Sequence, residues 1–136
     1  MKKHLLAGAA VLALAACSQP EPLGPNIVVP AQPGLSAAQV TQLVVGNTGS
    51  GPMSGSNVRY VMYVDPNGTA QIRLPTGIEA GKWQILSDGQ FCAQWANFHD
   101  GEQYCQRVYQ EGSTATYKFV DRSAVMFLTF VSGKAL

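Results

Sequence analysis

The chain has 136 residues, of which 46% are hydrophobic and 12% are charged, and its formal net charge at pH 7 is +1. This length accommodates one domain, and the apolar fraction is that of a folded protein, which excludes a wholly disordered chain. Charge this sparse and balanced excludes electrostatic attraction to nucleic acid or to an acidic substrate.

The first seventeen residues have the pattern of a bacterial lipoprotein signal. Two lysines near the start precede an apolar run of twelve residues, 5–16. Such a run is too short to cross a hydrocarbon core as a helix, which takes about 20 residues, and is typical of a secretory signal. It closes with Leu14-Ala15-Ala16-Cys17, in which small residues precede a cysteine. We predict cleavage after residue 16 and acylation, including palmitate, of Cys17; the alternative is an ordinary signal that ends on cysteine by chance.

The residues around the anchor predict the location of the protein. Several acyl chains on one residue anchor a protein stably, whereas a single chain binds weakly. Ser18 follows the cysteine; aspartate at this position favours the inner membrane, so serine favours the outer membrane. We expect the rest of the chain on the periplasmic side rather than at the cell surface. Without residues 1–16, seven basic and eight acidic residues remain, a formal charge of −1.

Residues 18–34 are rich in proline. Five of these 17 residues are proline, which lacks the amide hydrogen that a helix or an internal strand requires. An extended polyproline II segment of this length reaches ~50 Å at ~3.1 Å per residue. We predict that residues 17–34 form a lipidated tether and that residues 35–136 form a β-rich periplasmic domain.

The domain begins with a predicted helix. Ser36 and Gln39 have the spacing of a capping box, in which each side chain bonds the main-chain N–H of the other residue. An apolar stripe follows at helical spacing and consists of Val40, Leu43 and Val44. We predict a short amphipathic helix over residues 37–45 that packs as a lid or plug against a sheet.

The remaining chain alternates apolar and polar residues between turn residues, which is typical of short antiparallel strands. A representative turn is Asp65-Pro66-Asn67-Gly68. The predicted strands cover residues 58–64, 69–74, 82–87, 90–96, 102–110, 114–120 and 124–131. We predict a mainly β fold: a small antiparallel meander that forms a curved sheet or barrel of about seven strands, with one short N-terminal helix.

Two glycine-containing stretches are predicted to lie outside the strands. Residues 46–55 contain four glycines but lack the Gly-Lys-Ser/Thr of a phosphate-binding loop, and they follow a helix instead of opening one. We predict a flexible connection from the helix to the first strand. Pro75, Gly77 and Gly81 predict a turn before residue 82.

Cys92 and Cys105 lie on two strands that are predicted to pair. An exported protein meets an oxidising compartment, so a disulfide is the expected state of such a pair. The alternative is a metal site formed with His99, but oxidation would consume the thiolates that zinc requires. We predict a structural disulfide and no metal ion.

The sequence shows no catalytic constellation. His99 is the one histidine after the signal, and no serine lies in a Gly-x-Ser-x-Gly elbow. We therefore predict no enzymatic activity and no cofactor; hydrolysis would rest on His99 alone. Aromatic residues on strands are more often core than ligand platform, but a barrel interior can hold a small apolar ligand and an exposed aromatic residue can anchor a protein partner. The candidate binding residues are Trp83, Trp95 and Tyr104.

Short motifs along the domain resemble an uncharacterised family of small exported alphaproteobacterial envelope proteins, a domain of unknown function. The motifs are Gly46-Asn47-Thr48, Tyr63, Pro66-x-Gly68, Gly81-x-Trp83, Asp88-Gly89-x-Phe91-Cys92, Trp95 and Cys105. This resemblance implies a β-rich envelope domain and supplies no activity. Gly81-Lys82-Trp83-Gln84-Ile85 and the cysteine pair are also weakly similar to β-barrel protease-inhibitor lipoproteins, although the inhibitory N-terminal segment of that family has no counterpart that can be located.

Together these features predict a membrane-anchored lipoprotein that acts as a non-catalytic binding or structural module on another envelope protein. The alternatives are a barrel that binds a small apolar ligand and a protease-inhibitor-like lipoprotein. Nucleic acid is not an expected partner.

Overall fold

The alternation of apolar and polar residues builds a closed barrel of eight antiparallel strands in a meander, preceded by one helix. The computed structural model describes residues 27–136, so the predicted signal, Cys17 and the first part of the predicted tether lie outside the described residues. The elements are α1 (Ala37–Val44), β1 (Asn47–Pro52), β2 (Arg59–Val64), β3 (Thr69–Leu74), β4 (Gly77–Ile85), β5 (Phe91–Trp95), β6 (Tyr104–Gln110), β7 (Tyr117–Val120) and β8 (Val125–Ser132), with a 3₁₀ turn at Phe98–Gly101.

The helix α1 forms as its capping box predicts. The Ser36 hydroxyl accepts from the main-chain N–H of Gln39 (3.2 Å), and the Gln39 side chain accepts from that of Ser36 (2.9 Å). Val40 and Val44 are fully buried against the barrel core. The apolar stripe of α1 therefore closes one end of the barrel, where the β2–β3, β4–β5 and β6–β7 turns also lie.

Side chains fill the interior of the barrel. Inner-facing residues no more than 2% exposed are Tyr60, Met62, Val64, Ala70, Ile72, Phe91, Ala93, Trp95, Gln106, Val108, Phe119, Met126 and Leu128. The predicted fold class is confirmed, with eight strands where the sequence predicted about seven.

The additional strand is β1, which the sequence analysis assigned to a flexible connection. β1 pairs with β2 and β8 and so closes the barrel. Its glycines serve close packing: a Cβ on Gly49 would lie 2.6 Å from the Phe130 ring, and a Cβ on Gly51 would overlap the Phe127 carbonyl oxygen. The prediction was wrong because glycines, which are typical of loops, here allow a neighbouring strand to approach closely.

β4 also differs from the prediction. It begins at Gly77, five residues before the predicted start, so the turn from β3 is confined to residues 75–76. Gly81 lies inside the strand opposite Trp95, and a Cβ there would lie 2.5 Å from the Trp95 ring. The glycine that predicted a turn instead leaves room for an indole.

The strand β6 changes neighbours along its length. Tyr104–Gln106 pairs with β5, and Arg107–Gln110 pairs with β7. Only three residue pairs join β5 to β6, and one of them is the disulfide pair Cys92 and Cys105. The bridge therefore fastens the short pairing between β5 and β6.

Part of the predicted tether lies on the barrel. We call residues 27–35 the wall segment. Ile27 packs against an outer-wall cluster that contains Tyr109, Val120 and Val125. Further along, the Gln32 side chain donates to the Gln110 carbonyl and the Leu35 N–H donates to the Val108 carbonyl (2.8 Å). The wall segment thus runs beside β6 towards α1.

Gln106 provides a test of the core. It is 1% exposed, and neither amide atom of its side chain has a hydrogen-bond partner in the described part of the chain. A buried unpartnered amide costs about 1–3 kcal/mol, so Gln106→Met should raise the free energy of unfolding by about 1 kcal/mol in urea titration. The exposed Gln84→Met is the control and should stay within about 0.5 kcal/mol of wild type. A clear loss of stability in Gln106→Met would show that the amide makes a stabilising interaction.

Candidate functional site

The two ends of the barrel differ. α1 covers one end, which we call the helix end. We call the other end the cleft end. It carries the loops that follow β1, β3, β5 and β7. Two of these loops matter for the site: residues 96–103 after β5 and residues 121–124 after β7. Since α1 closes the helix end, the cleft end is where loops alone shape the surface.

The loop after β5 holds an unusual main-chain conformation. His99 and Asp100 have φ angles of 54° and 57°, and Gly101 follows with 70°. The left-handed conformation costs roughly 1–2 kcal/mol for each residue that is not glycine. Glu79 on β4 holds the loop: its carboxylate accepts from the main-chain N–H groups of Asn97 and Phe98, both at 3.0 Å.

The Glu79 contact predicts a pH dependence of the loop. The N–H groups of Phe98 and then Asn97 lower the pKa of Glu79 because they stabilise its charged form. With the folded-state pKa lowered, the contact persists above it and is lost as the pH falls through it. The amide proton shifts of Asn97 and Phe98 should therefore move together in an NMR titration, with a midpoint below the ordinary range of a glutamate. Glu79→Gln should abolish this movement, and independent midpoints for the two amides would contradict the contact.

Three polar groups meet below this loop. The Trp95 indole N–H donates to the Tyr104 hydroxyl (2.8 Å), which also shares a hydrogen bond with the Tyr60 hydroxyl (3.1 Å). Burial raises the pKa of Tyr104 and raises that of Tyr60 well above the ordinary value, so both phenols stay neutral. The rings of Phe98 and His99 lie beside Tyr104, with centroids 6.5 Å and 4.2 Å from it. The loop is thus packed on an aromatic base.

A cleft of about 350 Å³ opens beside this aromatic base. Its lining residues are His99, Glu102, Gln103, Tyr104, Cys105, Asp121, Arg122 and Ser123. One wall is the β7–β8 turn, in which one Asp121 carboxylate oxygen accepts from the N–H groups of Ser123 and Ala124, both at 2.7 Å. The cleft thus has two ordered walls: the β7–β8 turn, which is held by its own hydrogen bonds, and the loop after β5, which is held by Glu79.

The site residues predicted from the sequence lie in different parts of the structure. Cys92 and Cys105 form the expected disulfide, with sulfur atoms 2.01 Å apart. Trp95 is 2% exposed and belongs to the core. Trp83 is half-buried and donates its indole N–H to the Asp65 carbonyl (2.8 Å), near the helix end. Tyr104 alone of the three aromatic candidates lines the cleft, together with His99.

Sequence reasoning missed the contributions of Glu79 and the β7–β8 turn. In a meander, alternate connections lie at the same end, so the predicted loops around residues 97–101 and 121–123 could have been placed together before the structure was known. Nothing in the sequence around Glu79 indicates that its carboxylate binds a loop 18 residues away.

No helix in residues 27–136 is long and apolar enough to span a membrane. The same residues contain no group of three or more histidine, cysteine, aspartate or glutamate side chains that could hold a metal ion. Comparison with protein-family models, with curated proteins and with solved structures found no match to this chain. The two family resemblances remain predictions from sequence.

Proposed function

We propose that this protein is a lipid-anchored envelope protein that binds a partner protein at the cleft end of its barrel and catalyses no reaction. The observation that carries the proposal is the pair of left-handed residues His99 and Asp100 at the edge of a 350 Å³ cleft. Strained main chain persists only where its surroundings specify it, and it concentrates at functional sites. Here the Glu79 carboxylate holds the strained loop in place through its hydrogen bonds to Asn97 and Phe98.

The filled interior supports binding on the outside of the barrel. Met62, Ile72, Phe91, Phe119 and Leu128 are each at most 1% exposed, and a core packed in this way has to rearrange to admit a ligand. The apolar-ligand barrel is therefore the second candidate. A protease-inhibitor-like role is the special case in which the bound partner is a protease.

The anchor is proposed from Leu14-Ala15-Ala16-Cys17. Ten residues, 17–25 and Asn26, precede the wall segment, and at most ~3.6 Å per residue they reach ~36 Å. The wall segment begins at Ile27, which packs against the outer-wall cluster of Tyr109, Val120 and Val125. The proposed anchor therefore connects to the outer wall of the barrel and keeps that wall within ~36 Å of the membrane.

Cys17→Ala should release the protein from membranes. Without the thiol no diacylglyceryl group is added, and the remaining chain lacks the acyl chains that anchor it. We expect the variant in the soluble periplasmic fraction and without incorporated radiolabelled palmitate, whereas wild type is labelled and sediments with membranes. Retention of the variant in membranes would contradict the anchor.

Partner binding is tested by affinity isolation of the full-length protein from mildly solubilised membranes, with quantitative mass spectrometry. Ser123→Trp fills the cleft, while Ser87→Trp places the same side chain on the β4–β5 turn at the helix end. We expect a stoichiometric envelope protein with wild type and Ser87→Trp, and its loss with Ser123→Trp. Equal recovery with both variants would contradict binding at the cleft; recovery of no partner with wild type would favour the ligand-binding barrel.

A further inference from the structure

β6 pairs with β5 along its first part and with β7 along its second part. Each part therefore has no neighbouring strand on one of its two sides. β5 begins at Phe91, opposite Gln106, so Val108–Gln110 extends past it. β7 ends at Val120, opposite Arg107, so Tyr104–Gln106 extends past it on the other side. Each stretch presents main-chain groups that a strand would otherwise bond.

The chain itself covers the first of these edges. The carbonyl groups of Val108 and Gln110 accept from Leu35 and Gln32 of the wall segment. The wall segment thus covers the edge of β6 that β5 leaves open, through the main-chain N–H of Leu35 and the side-chain amide of Gln32.

The second edge faces the cleft. Main-chain groups of successive residues in a strand point to opposite sides, so those of Cys105 point away from the side to which Val108 and Gln110 point. The Cα atoms of Cys92 and Cys105 are 4.0 Å apart, the close spacing of an antiparallel pair that exchanges no main-chain hydrogen bonds. Both observations indicate that the N–H and C=O of Cys105 point towards the cleft, which Cys105 lines.

We infer that the cleft takes an extended segment of a partner polypeptide, which adds as a short strand beside Tyr104–Gln106 and bonds the main chain of Cys105. This inference rests on the proposed function and specifies its binding mode. Strand addition of this kind derives affinity from main-chain hydrogen bonds and specificity from neighbouring side chains. His99 and Tyr104 supply ring surfaces on one side, and the β7–β8 turn limits the other.

The charges of the cleft agree with main-chain recognition. Glu102 and Asp121 contribute carboxylates, and Arg122 contributes a guanidinium group. With both signs present, the cleft lacks the single-sign field that would select a strongly charged ligand. A neutral extended backbone fits it better than a phosphate or a polyanion does.

The free protein offers the first test, by amide hydrogen exchange of the oxidised chain followed by NMR. We expect the amide of Cys105 to exchange at least 10-fold faster than those of Tyr104 and Gln106, which point towards β5. Equal protection of all three amides would overturn the inference, because the edge would already be occupied.

The second test uses a phage-displayed library of linear seven-residue peptides, selected on the immobilised full chain. We expect enriched peptides that bind wild type and Ser87→Trp, lose binding to Ser123→Trp by at least 10-fold, and slow exchange of the Cys105 amide. Failure to enrich such peptides, or enriched peptides that leave this amide unchanged, would overturn strand addition. If Ser123→Trp still abolishes recovery of the membrane partner in that case, binding at the cleft stands and only its mode is wrong.

Discussion

Gly51→Ala is expected to cost about 3 kcal/mol or more of the free energy of unfolding, or to prevent folding. A Cβ at this position would overlap the Phe127 carbonyl oxygen and lie 2.8 Å from the carbonyl carbon. Both atoms belong to the main chain of β8, so the added methyl group can be accommodated only if β1 and β8 separate. Overpacking a well-filled site costs about 1–3 kcal/mol and more where the backbone has to move. Separation here would also open the barrel at its closing pair of strands.

Urea unfolding with the disulfide intact measures this effect. Gly55→Ala is the matched control, because its Cβ would meet nothing within 4 Å although its φ is +75°. The control should lose only the roughly 1–2 kcal/mol of a left-handed alanine. A Gly51→Ala variant as stable as Gly55→Ala would show that β1 does not pack closely against β8.

Loss of the Cys92–Cys105 bridge is expected to destabilise the domain by about 3 kcal/mol, the chain-entropy value for a closed loop of this size. The effect should be large because only two other residue pairs, Phe91 with Gln106 and Ala93 with Tyr104, join β5 to β6. A domain of this size has a total stability of about 5–15 kcal/mol, so the bridge contributes a substantial share.

The comparison is wild type with and without a phosphine reductant, alongside the double variant Cys92→Ala, Cys105→Ala. At a urea dependence of about 1–3 kcal/mol per molar, the midpoint should fall by about 1–3 M. Reductant should leave the double variant unchanged, which controls for other effects of the reagent. Hydrogen exchange should rise first in β5 and the first half of β6; a shift of under 1 kcal/mol would contradict the role assigned to the bridge.

Local signals in the sequence predicted much of the fold. Ser36 and Gln39 marked the start of α1 because their capping bonds span only three residues. Alternation predicted a strand over residues 58–64, and the structure buries its alternate residues Tyr60, Met62 and Val64 in the barrel because side chains alternate along any strand. The same regularity predicted an antiparallel meander with Cys92 and Cys105 on two pairing strands; the structure places them directly opposite each other.

The remaining features depend on contacts between distant parts of the chain. Gly49 and Gly51 look like loop residues until Phe130 and Phe127 of β8 are placed beside them. The partner change of β6 and the position of the wall segment are likewise invisible in local patterns. Of the candidate site, Tyr104 was predicted and His99 was noted, but the left-handed loop depends on Glu79, which no spacing or composition signals.

Photocrosslinking in intact cells tests the central claim, partner binding at the cleft end, most directly. A benzophenone amino acid is introduced at Glu102, an exposed residue at the cleft, or at Ser87 in the full lipidated chain, which compares the cleft with the exposed turn at the helix end. We predict one discrete adduct with an envelope protein from position 102 and none from position 87. The same adducts from both positions, or none from position 102, would contradict binding at the cleft end.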